Sequence, residues 1–308
     1  MYANEILKHY RNKFDKNGFV DVTKDVLDEE FFSGYYTSSS KLKLKCGTFY
    51  KKLGELGVAK AQMDAEVLLC QVYHKLGFKT AIYVPAQTDF SQFILCNDIQ
   101  TKNVVPAFEY HFELGYEHRG LKGSPDCLFN GDKRDYVALF SPNILRKRAE
   151  MFLTDATSLN YDRVDCNYYY LLNKKTGSPA DIILIDYESS GENFNHAEEF
   201  RRKYTPSDNY LDKYNTWLTN NPPSTREHYQ SDFNPMYLSR EEIIKNTKNC
   251  EELDGVFDAN EFASRIGSVD INAVAKDIKR EINYKVNQKY VDVLDKRFEN
   301  TAEMLMSK

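Results

Sequence analysis

Leu159-Asn160-Tyr161-Asp162-Arg163-Val164-Asp165-Cys166-Asn167-Tyr168-Tyr169-Tyr170-Leu171-Leu172 decides the reading of this chain. A polar loop rich in carboxylate and amide side chains opens directly into an aromatic and apolar strand. The turn Asn173-Lys174-Lys175-Thr176-Gly177 follows, and a second apolar run, Ile182-Ile183-Leu184-Ile185, ends on Asp186-Tyr187-Glu188. Two short apolar runs around a Gly-containing turn predict a β-hairpin. Its open end carries Asp162, Asp165 and Asn167 on one side and Asp186 on the other. Asn167 and Asp186 are nineteen positions apart, yet the hairpin returns them to the same end of one small sheet.

Such an end suits metal-assisted phosphoryl transfer. Mg²⁺ is a hard cation that takes oxygen ligands, and one carboxylate with one amide oxygen, Asp186 and Asn167, can hold it. A separate carboxylate, best placed at Asp162, can orient an attacking hydroxyl and accept its proton. Singly, each of these residues is an ordinary turn former, helix cap or strand end; the spaced set points to phosphate chemistry. Cys166 has no histidine beside it and reads as small filling.

Upstream, residues 143–159 predict the helix that delivers the chain to this loop. Earlier, Ala65, Leu68, Leu69, Val72 and Leu76 fall on one helical face over Gln62–Leu76, with Gly77 as C-cap. Before that helix, Lys41-Leu42-Lys43-Leu44-Lys45 alternates with a period of two, and Gly47-Thr48-Phe49-Tyr50-Lys51-Lys52-Leu53 returns as its hairpin partner. Thr80–Val84 and Gln92–Cys96 read as two further strands, so hairpin, helix and hairpin close a small mixed lobe. Ahead of it, Ser33-Gly34 through Ser38-Ser39-Ser40 suits a turn whose N–H groups approach an anion. Ala3–Phe14 predicts a short helix, and Asp25–Glu30 reads only as an acidic stretch. Residues 97–135 are loop-rich, and the tail from Val269 to Met306 reads as two helices, Ile271, Val274, Ala275, Ile278 and Ile282 having helical spacing.

Composition bounds the alternatives. In 308 residues, 42% are hydrophobic and 28% charged, which gives a globular chain able to form two lobes, and a net charge of −5 offers no whole-surface attraction to nucleic acid or anionic membrane. No apolar run is long enough to span a bilayer and no export signal opens the chain. Six cysteines without a CxxC pair read as reduced thiols of a cytoplasmic protein. His111, His118 and His196 lack metal-binding spacing, and Arg201-Arg202-Lys203 beside Glu198-Glu199 reads as a solvated helix face.

Asp162-Arg163-Val164-Asp165-Cys166-Asn167 and Ile185-Asp186-Tyr187 together resemble the catalytic Asp-x-x-x-x-Asn loop and the metal-binding Asp of protein-kinase-like folds. The nearer likeness is to HipA-like serine/threonine kinases and related bacterial atypical kinases. The resemblance implies an α+β, bilobal fold, with an N-terminal nucleotide-binding lobe over 1–100 and a mainly helical catalytic lobe over 101–308. It implies ATP with Mg²⁺, or Mn²⁺, as cofactors; Asp162, Asn167 and Asp186 as catalytic residues; and Asn167 and Asp186 as metal ligands. It puts a phosphate-covering loop near Ser38, Ser39 and Ser40, and a nucleotide-binding lysine at Lys51 or Lys52 paired with Glu66. Cys96 would lie on the strand edge that meets adenine.

The expected activity is phosphorylation of a protein serine or threonine, in a partner or in the chain itself. An antitoxin-like partner and a host-directed, secreted role both belong to the wider group. One alternative keeps the core and directs it to a small molecule or lipid head group. Another is an inactive kinase-like module that binds nucleotide or a partner: the loop histidine of protein kinases is absent, the region 33–40 holds one glycine, and Asp-Tyr-Glu stands where protein kinases have Asp-Phe-Gly.

Overall fold

The computed structural model of the chain describes residues 5–10, 12–31, 39–52, 60–99, 101–113, 140–160, 163, 167–191, 194 and 240–307. Asp162, Asp165, Cys166 and Ser38 lie outside them, as do His118, His196 and residues 201–203.

Six strands form the first sheet: β1 (Val20–Asp21), β2 (Val26–Phe31), β3 (Ser39–Leu44), β4 (Gly47–Lys52), β6 (Tyr83–Gln87) and β7 (Gln92–Asn97), in the order β1-β6-β7-β4-β3-β2. The alternating lysine strand and its return are β3 and β4, antiparallel from Ser39↔Lys52 to Leu44↔Gly47. The acidic stretch, to which the sequence reading assigned no element, is β2. Its pairing explains why: Asp28 faces Lys43 and Glu30 faces Lys41 across the ladder, so an edge strand rich in carboxylates is matched by a lysine strand. Ser39 and Ser40 belong to β3 and not to the turn expected over 33–40; the rest of that segment, 33–38, lies outside the described residues.

The second sheet is β5 (Lys79–Thr80), β10 (Pro179–Leu184), β9 (Tyr168–Leu172) and β8 (Val104–Pro106), in that order. β9 and β10 are the expected hairpin, in register from Leu184↔Tyr168 to Asp181↔Leu171, with a bulge before Pro179↔Leu172. β5 runs parallel to β10, so the first hundred residues contribute a strand to the sheet that carries the loop.

Helices fill the rest. α1 (Glu5–Tyr10) is shorter than expected, and α2 (Lys60–Lys75) covers the predicted amphipathic segment. α3 is Ala107–Glu113 and α4 is Pro142–Ser158. α5 (Arg240–Lys248), α6 (Ala259–Gly267), α7 (Ile271–Ile282) and α8 (Gln288–Met306) form the helical end. α4 starts where Ser141 accepts the Ile144 N–H and Pro142 takes the first turn, and it stops at Leu159 in left-handed backbone (φ 65°). It is buried almost throughout from Arg148 onward. The Arg148 guanidinium donates to the Tyr168 and Tyr170 hydroxyls at 2.9 and 2.7 Å, which gives two buried tyrosines of β9 their partner. Lys147 pairs with Asp181 of β10. The open end of the hairpin is thereby set against the end of α4.

Among the described residues no helix is long and apolar enough to cross a membrane. Cys46, Cys70, Cys96 and Cys250 are free thiols.

Candidate active site

Successive residues of a strand point to opposite faces, and this separates the two lysines that end β4. Lys51 is buried with its Nζ 2.9 Å from Glu29 Oε1 of β2, and Ser40 donates to the same oxygen at 2.6 Å. The ammonium of Lys51 also lies 4.8 Å from the Phe93 ring centre. It is therefore committed to holding the sheet together. Lys52 faces α2, with its Nζ 2.5 Å from Glu66 Oε1, 2.7 Å from Asp186 Oδ1 and 3.6 Å from Glu188 Oε2. The expected lysine–Glu66 pair forms at Lys52.

One ammonium among three carboxylates leaves a formal charge of −2. Burial opposes the charge on Lys52, but Asp186, Glu66 and Glu188 outweigh it and hold its pKa well above the usual value. On Glu66 burial is the largest influence; Lys52 pulls the other way and the two neighbouring carboxylates add to it, so its pKa is pushed up to about 8. With the pair at 2.5 Å, the buried Glu66 carboxyl is held by two bonds. One oxygen takes Lys52, and the other accepts the Tyr187 N–H at 3.1 Å. The oxygens of Glu66, Asp186 and Glu188 lie within 4.8 Å of one another. An all-oxygen, net-negative set of this kind fits a hard divalent cation.

Asp186 follows β10 in left-handed backbone, φ 64°. For a residue with a Cβ that conformation costs about 1–3 kcal/mol and persists only where the surroundings fix it. Its N–H donates to Tyr83 Oη at 2.8 Å, its carbonyl accepts from Asn160 Nδ2 at 3.4 Å, and its carboxylate meets Lys52. Opposite it, the Ile185 N–H donates to the Asn167 carbonyl at 3.2 Å, so the hairpin brings Asn167 and the Asp186 segment together as expected. Tyr187 is fully buried, its ring 5.1 Å from that of Tyr73 and 5.9 Å from that of Tyr83.

Arg163 received no role from the sequence, yet its guanidinium makes four hydrogen bonds at the hairpin end. Its Nε and Nη2 donate to the Asp155 carboxylate, both at 3.1 Å, while Nη1 donates to the Asn167 carbonyl at 2.5 Å and to the Ile185 carbonyl. Asp155 also accepts from the Tyr73 hydroxyl at 2.6 Å and from Asn160 Nδ2 at 3.0 Å. Burial works against the guanidinium charge, and Asp155 beside it more than compensates. Lone Arg and Asp residues in a sequence carry no sign of such a node.

Cys96 is a buried residue of β7, opposite Tyr83 and Tyr50, with its thiol pKa raised by burial. Glu188, quoted with the Asp186 segment but given no task, joins the lysine cluster. Two positions beyond an aspartate at a strand end, it was the one available signal for a third carboxylate.

No family model matches the sequence, and the search of curated proteins found no match. Solved structures do match. The crystal structure of a Helicobacter pylori proinflammatory kinase, CtkA, superposes with a TM-score of 0.53 at 14% identity, covering 92% of this chain and 94% of that one. LicA in complex with AMP aligns at 15% identity over 91% of this chain and 92% of its own, with a TM-score of 0.29. Choline kinase LicA from Streptococcus pneumoniae aligns at 14% identity over 92% and 95%, with a TM-score of 0.27, and scores this low do not establish a common fold. The CtkA superposition spans nearly all of both chains, and the fold of this protein is the α+β, kinase-like fold of that structure.

Proposed function

We propose that the chain is an ATP- and divalent-metal-dependent phosphotransferase that acts on serine or threonine hydroxyls of protein. The observation that carries this reading is Lys52 ringed by Glu66, Asp186 and Glu188 at the open end of the hairpin. CtkA, whose fold it shares, is described as a kinase.

In this reading residues 1–100 form the nucleotide-binding lobe and 101–308 the catalytic and helical lobe. Lys52 turns from Asp186 toward phosphate oxygens when nucleotide enters, and Glu66 keeps its ammonium aimed into the cleft. Asp186 and Asn167, with Glu188 beside them, would hold Mg²⁺ or Mn²⁺, which neutralises phosphate charge when bound. Asp162 accepts the hydroxyl proton of the acceptor as the new O–P bond forms and the bond to the ADP oxygen breaks. Cys96 is paired on both sides within the sheet, so the base is bordered by the chain leaving β7 behind it, residues 97–99, and the segment leading into Ser39 covers the phosphates. Lys51, tied to Glu29, takes no part.

The test is γ-phosphate transfer from ATP with Mg²⁺ or Mn²⁺, read by intact mass on wild type, Asp162→Ala and Asp186→Ala. The expected result is a gain of one phosphoryl group in wild type alone. Absence of both transfer and metal-dependent nucleotide binding in wild type overturns the proposal.

A further inference from the structure

The buried Arg163–Asp155 pair stands apart from the Lys52 cluster and connects three pieces of chain. Asp155 belongs to the last turn of α4, Asn167 is the residue before β9, and Ile185 is the residue before Asp186. Arg163 is 3% exposed and Asp155 4%. One guanidinium spends three of its nitrogens on these three pieces, with a two-point contact to the carboxylate. Its plane also lies 5.3 Å from the Tyr187 ring centre. Asn160 continues the same chain of bonds from Asp155 to the Asp186 carbonyl. A planar, permanently charged fork is the side chain that can do this; a lysine carries the charge without the geometry.

We propose that Arg163, anchored by Asp155, is a positioning residue that sets the carbonyls of Asn167 and Ile185 and thereby the placing of Asn167 and Asp186 for phosphoryl transfer. This rests on the function proposed above. The countercharge comes from a carboxylate built into α4, so the arrangement is complete in the unmodified chain and awaits no added phosphate. Misplacement of groups that touch substrate by about 1 Å costs on the order of 100-fold in rate, so the effect falls on kcat and leaves nucleotide affinity largely in place.

The experiment uses the full chain with Arg163→Lys, Arg163→Met and Asp155→Asn. Transfer from Mg²⁺-ATP gives kcat and KM, thermal unfolding gives the folded fraction, and hydrogen exchange is followed in peptides covering 160–171 and 183–188. The expected outcome for the folded variants is a kcat lower by about 100-fold with KM for ATP within about threefold. Arg163→Lys should recover part of the loss seen in Arg163→Met, and faster exchange should be confined to the two peptides. If Arg163→Met fails to fold, Arg163→Lys and Asp155→Asn carry the test. A folded fraction that falls while kcat per folded molecule stays at the wild-type value overturns the proposal and leaves a structural role. Should wild type transfer no phosphate, kcat cannot be read, and the proposed function fails as well if metal-dependent nucleotide binding is also absent. Exchange then decides the present inference: unchanged protection in both peptides overturns it, and local loss supports it.

Discussion

Glu66 binds Lys52 with one carboxylate oxygen and the Tyr187 backbone with the other, while it is almost wholly buried. Its pKa in the folded chain, about 8, lies above the ordinary 4.5. The folded state therefore holds this proton more tightly than the unfolded one. The associated stability is fully present below about pH 4.5 and is lost as pH rises through about 8. The thermal midpoint of the metal-free protein should fall across that window, and Glu66→Gln should flatten the fall. Comparing the two proteins at pH 5 and pH 8.5 by differential scanning fluorimetry checks it; identical slopes would refute the assignment. Two lysines adjacent in sequence had equal claims on Glu66, and their strand sets them on opposite faces. Phe49 and Lys51 share one buried face and Lys52 takes the other, and only the position of α2, which no period in the sequence reports, says which face meets Glu66. Arg163 and Asp155 left no hint either, since what gives them meaning is the meeting of a helix end with a hairpin end.

At the scale of elements, the hairpin β9–β10 and the helices α2, α4, α7 and α8 were readable because each has a strong period and a marked end. β2 was not: its side chains alternate in burial too weakly, and its partner's lysines are what stabilise it. The position of α2 depends on a close approach that no period reports. A Cβ built on Gly191 would overlap the carbonyl of Ala61, in the first turn of α2. Ser190, just before it, contacts the Tyr290 hydroxyl at 2.6 Å and bonds the Ser158 carbonyl. Gly191→Ala should push α2 away from its bed and lower stability by about 3 kcal/mol, at the upper end of ordinary overpacking. Urea unfolding gives that figure, and nucleotide binding should weaken with it because Glu66 rides on the same helix. A variant as stable as wild type would show that α2 tolerates the shift.

On the scale of the molecule, the described parts of the two proposed lobes are tied together at several points. β5 pairs with β10. Lys60 reaches the Tyr284 hydroxyl at 3.1 Å and the Lys285 carbonyl at 2.8 Å, and Asp64 accepts the Asn287 N–H at 3.1 Å. Phe19 packs edge-on against Tyr284, with ring centres 6.1 Å apart, and Gly18 leaves room for the backbone of that tyrosine. With a shared strand and a helix clasped from both sides, thermal unfolding should be one transition. Far-ultraviolet and near-ultraviolet circular dichroism should give coincident midpoints; two separated transitions would mean that the lobes unfold independently.

The bond from Asp64 to Asn287 joins residues 223 positions apart. A ribosome adding about 5–20 residues per second needs roughly 11–45 s to make that stretch. Throughout that interval the strand and helix that carry Lys52 and Glu66 exist without the support on which α2 rests. Synthesis thus builds a delay into folding: α2 gains this support only once the chain has been made as far as Asn287.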